Sequence, residues 1–141
     1  MTFTEIVDLG VKNGFIINKE KKYPFLTLNR KDGIKVELSF PGENVVSDLG
    51  EGVNINWEYK LFDTKTGVEL YKDWLDIYGG TAQDKIMRIK NEVIEFINKI
   101  STSEIRIKEK FAFSFFGFKF LKYKELEFKT ENNLWSEIIN G

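Results

Sequence analysis

The stretch Thr81–Ile100, TAQDKIMRIKNEVIEFINKI, decides how this chain folds. Ala82, Ile86, Ile89, Val93, Phe96, Ile97 and Ile100 recur at spacings of three and four. At 3.6 residues per turn that spacing stacks them into one apolar stripe. Asp84, Arg88, Asn91, Glu95 and Asn98 repeat in the same way on the opposite side. Thr81 with Asp84 is a variant of the capping box, its hydroxyl and carboxylate answering free N–H groups of the first turn. A helix of this length runs about 30 Å, enough to cross a small sheet. The flanking segments alternate as strands do. The expected fold is therefore α+β, with the helix at 81–100 packed on one face of an antiparallel meander of about four to six strands.

Upstream, Thr2-Phe3-Thr4-Glu5 has the form of a capping box opening a short N-terminal helix. Phe3, Ile6, Val7 and Val11 make its apolar face, and Asn13-Gly14 supplies a left-handed stop. Phe15-Ile16-Ile17 fits a short strand, and Lys19-Glu20-Lys21-Lys22 before Pro24 a solvated loop. From Phe25 the period is two. Phe25–Asn29 and Ile34–Phe40 flank Arg30-Lys31-Asp32-Gly33, a hairpin turn in which glycine takes the positive φ. Residues 41–52, PGENVVSDLGEG, are rich in glycine and acids and are expected to form a long mobile loop.

Val53–Phe62 has the clearest alternation in the chain. Val53, Ile55, Trp57, Tyr59 and Leu61 share a face, which puts Trp57 beneath the helix; Asn54, Asn56, Glu58 and Lys60 share the other. Asp63–Gly67 turns the chain back into Val68–Trp74. Such one-sided alternation means one covered face and one wet face. In Ile105–Lys129 the phenylalanines change phase around Gly117, which divides the stretch into two strands. Leu134, Trp135, Ile138 and Ile139 fit a short closing helix. With no repeat, low-complexity tract or linker, residues 1–141 form a single domain.

Composition removes whole classes of chemistry. The chain has no cysteine and no histidine, so disulfides, thiolate nucleophiles, a Ser-His triad and the commonest transition-metal ligands are excluded. The leading MTFTEIVDLG carries acids where a signal peptide carries bases, and no apolar run reaches spanning length. A cytoplasmic protein without membrane association is expected. Net charge is near zero but unevenly placed. Residues 41–80 hold eight acids against three bases, and residues 101–130 hold seven bases against four acids. Asymmetry of this kind bears on partners.

Four features could carry function. Seven of the thirteen residues from Phe111 to Tyr123 are aromatic and lysines lie among them, which suits a buried strand pair, an apolar ligand groove or single-stranded nucleic acid. Phe116–Phe120 echoes part of the RNP1 pattern without its leading basic-glycine pair. Gly79-Gly80-Thr81 at a helix start offers free N–H groups, but neither GxGxxG nor a P-loop lysine accompanies it. The acids Glu58, Glu69, Asp73 and Asp76 have no metal-loop spacing. The serines lack a nucleophile elbow, so enzymatic activity is not expected, nor a metal or cofactor. A non-enzymatic protein-binding domain is expected, docking a basic partner through Glu43, Asp48, Glu51, Glu58, Glu69 and Asp73. Immunity proteins that neutralise secreted bacterial toxins share this profile, although no motif carries the likeness. The alternatives are a ligand- or single-stranded nucleic-acid-binding module on strand 111–123, and an accessory domain.

Overall fold

The computed structural model describes residues 3–50, 52–115, 118–130 and 132–136, and the side chains of these outside 110–122. In chain order the elements are α1 (Thr4–Lys12), β1 (Ile16–Ile17), β2 (Phe25–Asn29), β3 (Ile34–Ser39), α2 (Glu43–Asp48), β4 (Ile55–Asp63), β5 (Glu69–Ile77), α3 (Ala82–Thr102), β6 (Ile105–Phe115), β7 (Phe118–Lys129) and β8 (Trp135–Ser136). Strands β1 to β5 pair antiparallel in sequence order; β6, β7 and β8 make a second, three-stranded sheet. The fold is α+β, as the alternation and the helical stripe require. Among the described residues no helix is long and apolar enough to cross a membrane.

Helix α3 begins where its cap dictates. Thr81 Oγ1 accepts from the Asp84 N–H at 3.2 Å, and Asp84 Oδ2 accepts from the Thr81 N–H at 3.1 Å. Ile89, Val93, Phe96, Ile97 and Ile100 are fully buried, and Trp57 is 1% exposed beneath them. Phe96 meets Trp57 edge-on at 5.6 Å and stacks on Tyr59 at 4.3 Å. This aromatic cluster locks the helix to the middle of β4. Lys85, one turn before Ile89, is buried on the same stripe with Nζ 3.3 Å from the Gly50 carbonyl.

Four local expectations change. The first turn of α1 is not capped by its own side chains. Phe3 is the N-cap in a left-handed conformation (φ 58°), and its N–H donates to Glu43 Oε2 at 3.0 Å. Phe3 is buried edge-on against Phe40, and seating that ring sets the backbone. Glu5 instead pairs with Lys90 of α3 at 3.0 Å; Thr2 lies outside the described residues. Second, the expected loop at 41–52 contains α2, anchored by the fully buried Val46. Third, β5 runs on to Ile77 and has a bulge against Leu61/Phe62. Fourth, Trp135-Ser136 pairs with β7 as a strand rather than opening a helix; Ile138 and Ile139 lie outside the described residues.

Strands β6 and β7 form the expected pair, with Phe113 opposite Phe120 and Phe115 opposite Phe118. Leu126 and Phe128 are buried, and Ile105 and Ile107 pack against the same core. Phe116, Gly117 and the side chains of the aromatic run from Phe111 to Lys122 lie outside the described residues.

Candidate functional site

An antiparallel meander delivers alternate connections to opposite ends of its sheet, and this decides which acids can meet. The β3–β4 connection and the β5–α3 connection fall at one end. There the Gly52 N–H reaches the Gly80 carbonyl at 3.4 Å, and the Gly79 N–H donates to Asn54 Oδ1 at 3.1 Å. Asp48 closes α2 at this end and is exposed; Glu58 and Asp76 lie nearby on the outer face of the sheet. Glu43 is also here, but its carboxylate is committed to the Phe3 N–H.

The remaining predicted acids go elsewhere. Glu69 pairs with Phe62 beside the β4–β5 turn, at the opposite end of the strands. Asp73 does not lie on the wet face. It pairs with Tyr59, on the side covered by α3, because the bulge between Glu69 and Tyr71 inserts Leu70 and reverses the phase of the rest of β5. Glu51 lies outside the described residues. Thus three acids of residues 41–80 that reach the surface, Asp48, Glu58 and Asp76, share one end of the molecule.

Large aromatics stand beside them. Trp74, directly opposite Glu58, is 55% exposed, and Tyr78 is 66% exposed with its hydroxyl donating to Asp76 Oδ2 at 3.1 Å. That contact and the Asp76 charge raise the Tyr78 pKa. Beside Glu58 opens a cleft of about 490 Å³ walled by Tyr23, Phe40, Pro41 and Val45. Ser39, almost fully buried, is 3.4 Å from Glu58 Oε1 through its hydroxyl. Further along the outer face the signs mix: Lys60 lies between Lys72 on one neighbouring strand and Glu37 on the other, Lys35 pairs with Glu37 at 3.7 Å and sits over the Phe62 ring at 5.0 Å, and Glu69 lies opposite Phe62. The outer face is therefore acidic at one end and mixed in sign toward the other.

A second group of acids lies on the helix side. Burial raises the pKa of Asp73, with the Trp74 backbone N–H opposing and the Asp76 charge adding to the rise. Burial also raises Glu92 on α3, opposed by Arg88 and by the Trp57 indole. The Trp57 Nε1 and Glu92 Oε2 atoms lack a well-formed hydrogen bond, so their interaction is an electrostatic approach of dipole and charge. Tyr71 is raised chiefly by burial and then by the Asp73 charge, and it interacts with Tyr59 and the Leu126 backbone. Among the described residues no three acids gather closely enough to hold a metal ion.

Comparison with family models, with curated proteins and with solved structures finds no match. Trp74, Tyr23 and Lys85 did not stand out in the sequence. For Trp74 the signal was present: Tyr71, Leu75 and Ile77 continue one phase and leave Trp74 in the other with Lys72 and Asp76. Lys85 has the spacing of the stripe, one turn before Ile89, but its charge hides it there; for Tyr23 the alternation gives no indication.

Proposed function

We propose that this chain is a non-enzymatic protein-binding domain that docks a basic partner at the end of the meander holding Asp48, Glu58 and Asp76. The observation that carries the reading is the juxtaposition of Glu58 and Asp76 with the exposed rings of Trp74 and Tyr78, at the end of the sheet where Asp48 closes α2. Exposed aromatics supply much of the anchoring area of interfaces. The carboxylates draw in a basic surface and raise its encounter rate. Glu43, Glu69 and Asp73 drop out of the proposed contact on account of their placement. A nuclease toxin neutralised by an immunity protein is one kind of partner with this chemistry.

The test replaces Asp48, Glu58 and Asp76 together by lysine. A partner captured by the wild-type chain from its native source should associate with the variant about tenfold more slowly or worse, and wild-type association should slow as salt is added. An unchanged on-rate, or wild-type association indifferent to ionic strength, contradicts the docking role.

A further inference from the structure

We infer that the cleft beside Glu58 is a subsite for an arginine side chain of the partner protein, an assignment that rests on the docking reading above. Its walls are carbon and its end is charged. Tyr23 (42% exposed) and Val45 (50% exposed) form the rim, Phe40 and Pro41 line the interior, and Asn56 and Glu58 supply the polar groups. The Tyr23 ring lies edge-on to Phe25 at 6.4 Å, so it is braced rather than free to fold over the opening.

The Glu58 carboxylate is half-buried, and its hydrogen-bonding capacity is scarcely used. Its contact with Ser39 Oγ, at 3.4 Å, is at the weak limit for an O–H donor. It forms no ion pair among the described residues, although Lys22 also lines the cleft. A partly desolvated carboxylate behind apolar walls suits a cation on an aliphatic stem, which covers the walls while its head meets the charge. Arginine fits better than lysine. Its planar fork engages a carboxylate through two bonds and stacks on a tyrosine face, and it is more weakly hydrated than an ammonium group.

The probe is the blocked peptide acetyl-Gly-Arg-Gly-amide, titrated into the full chain while the backbone amide signals of Ser39, Asn56 and Glu58 are followed by NMR. Saturable shifts at these residues are expected. Citrulline in place of arginine keeps the shape and removes the charge, and should weaken binding about tenfold or more, as loss of a charge-assisted bond does. Glu58→Gln should do the same while leaving signals elsewhere unmoved, and Tyr23→Ala should erase the preference for the arginine over the lysine peptide. Equal binding of the citrulline peptide, no effect of Glu58→Gln, or no shifts at these residues overturns the assignment. The docking reading is judged separately, by reversing Asp48 and Asp76 with Glu58 retained. Salt-dependent association lost in that variant, without arginine binding in the cleft, sinks the subsite alone; arginine binding with association unchanged by the reversal sinks the docking role alone.

Discussion

Asp73 shows how one inserted residue redirects a side chain. Opposite Tyr59 and beside Tyr71, it is partly removed from water, and burial holds its pKa above the ordinary aspartate value. The native state therefore keeps this proton to higher pH than the unfolded chain does. Its contribution to stability is complete below the unfolded pKa and is lost as pH rises through the raised folded value. Asp73→Asn removes the titration. Its urea midpoint relative to wild type should accordingly be higher at pH 7 than at about pH 3, below the unfolded carboxyl's value of about 3.9. A difference that moves the opposite way between these pH values would show that the Trp74 N–H, not burial, controls the group. The position of Trp57 was legible in the sequence because alternation alone determines it; that of Asp73 was legible only from Tyr71, Leu75 and Ile77, which share its phase, because the bulge at Leu70 breaks the alternation that runs from Glu69.

Between elements, α1 comes close to β2 at Gly10. A Cβ placed on the buried Gly10 would come within 2.7 Å of Leu26 Cδ2, and Leu26 is itself fully buried. Gly10→Ala should lower stability by about 1–3 kcal/mol through overpacking, read as a drop in the urea midpoint. Equal or greater stability would mean that α1 can ride up off the sheet without loss. The existence of α1 and α3 could be read from their periodicity. The anchoring of α1 could not, since its N-cap is held by Glu43, forty residues away along the chain. Helix α2 was hidden for another reason: its six residues are too few to show a period, and its one buried anchor, Val46, sits among glycines and acids that resemble a loop.

Across the whole molecule, Arg30 joins the β2–β3 turn to the end of α3. Its guanidinium donates to the Ile100 carbonyl and, at 2.9 Å, to the Ser103 carbonyl, while Asp32 holds it from behind at 3.0 Å. These bonds satisfy carbonyls that the helix end leaves without partners. Arg30→Ala should cost about 2 kcal/mol or more, and Arg30→Lys should recover little of it, because only the fork spans both carbonyls. Thermal unfolding of the three proteins checks this; a lysine variant as stable as wild type refutes the two-point bridge. At this scale the α+β class and the helix-covered meander could be read from the sequence. The division of the acids among two ends and two faces could not, because it depends on α2, on the bulge and on which connections share an end.

The bulge also bears on how copies of the chain treat one another. Among the described residues strand β5 is outermost in its sheet and nine residues long, the kind of edge on which another strand can add and from which aggregates grow. Its opening residues are thrown out of register at Leu61/Phe62, and Glu69, Lys72 and Asp76 are exposed along it. A kinked and charged edge makes a poor template for a flat incoming strand. The opposite edge, β1, is only two residues long and offers little to pair with. The irregularity that turned Asp73 inward thus also helps keep the sheet from growing beyond its five strands.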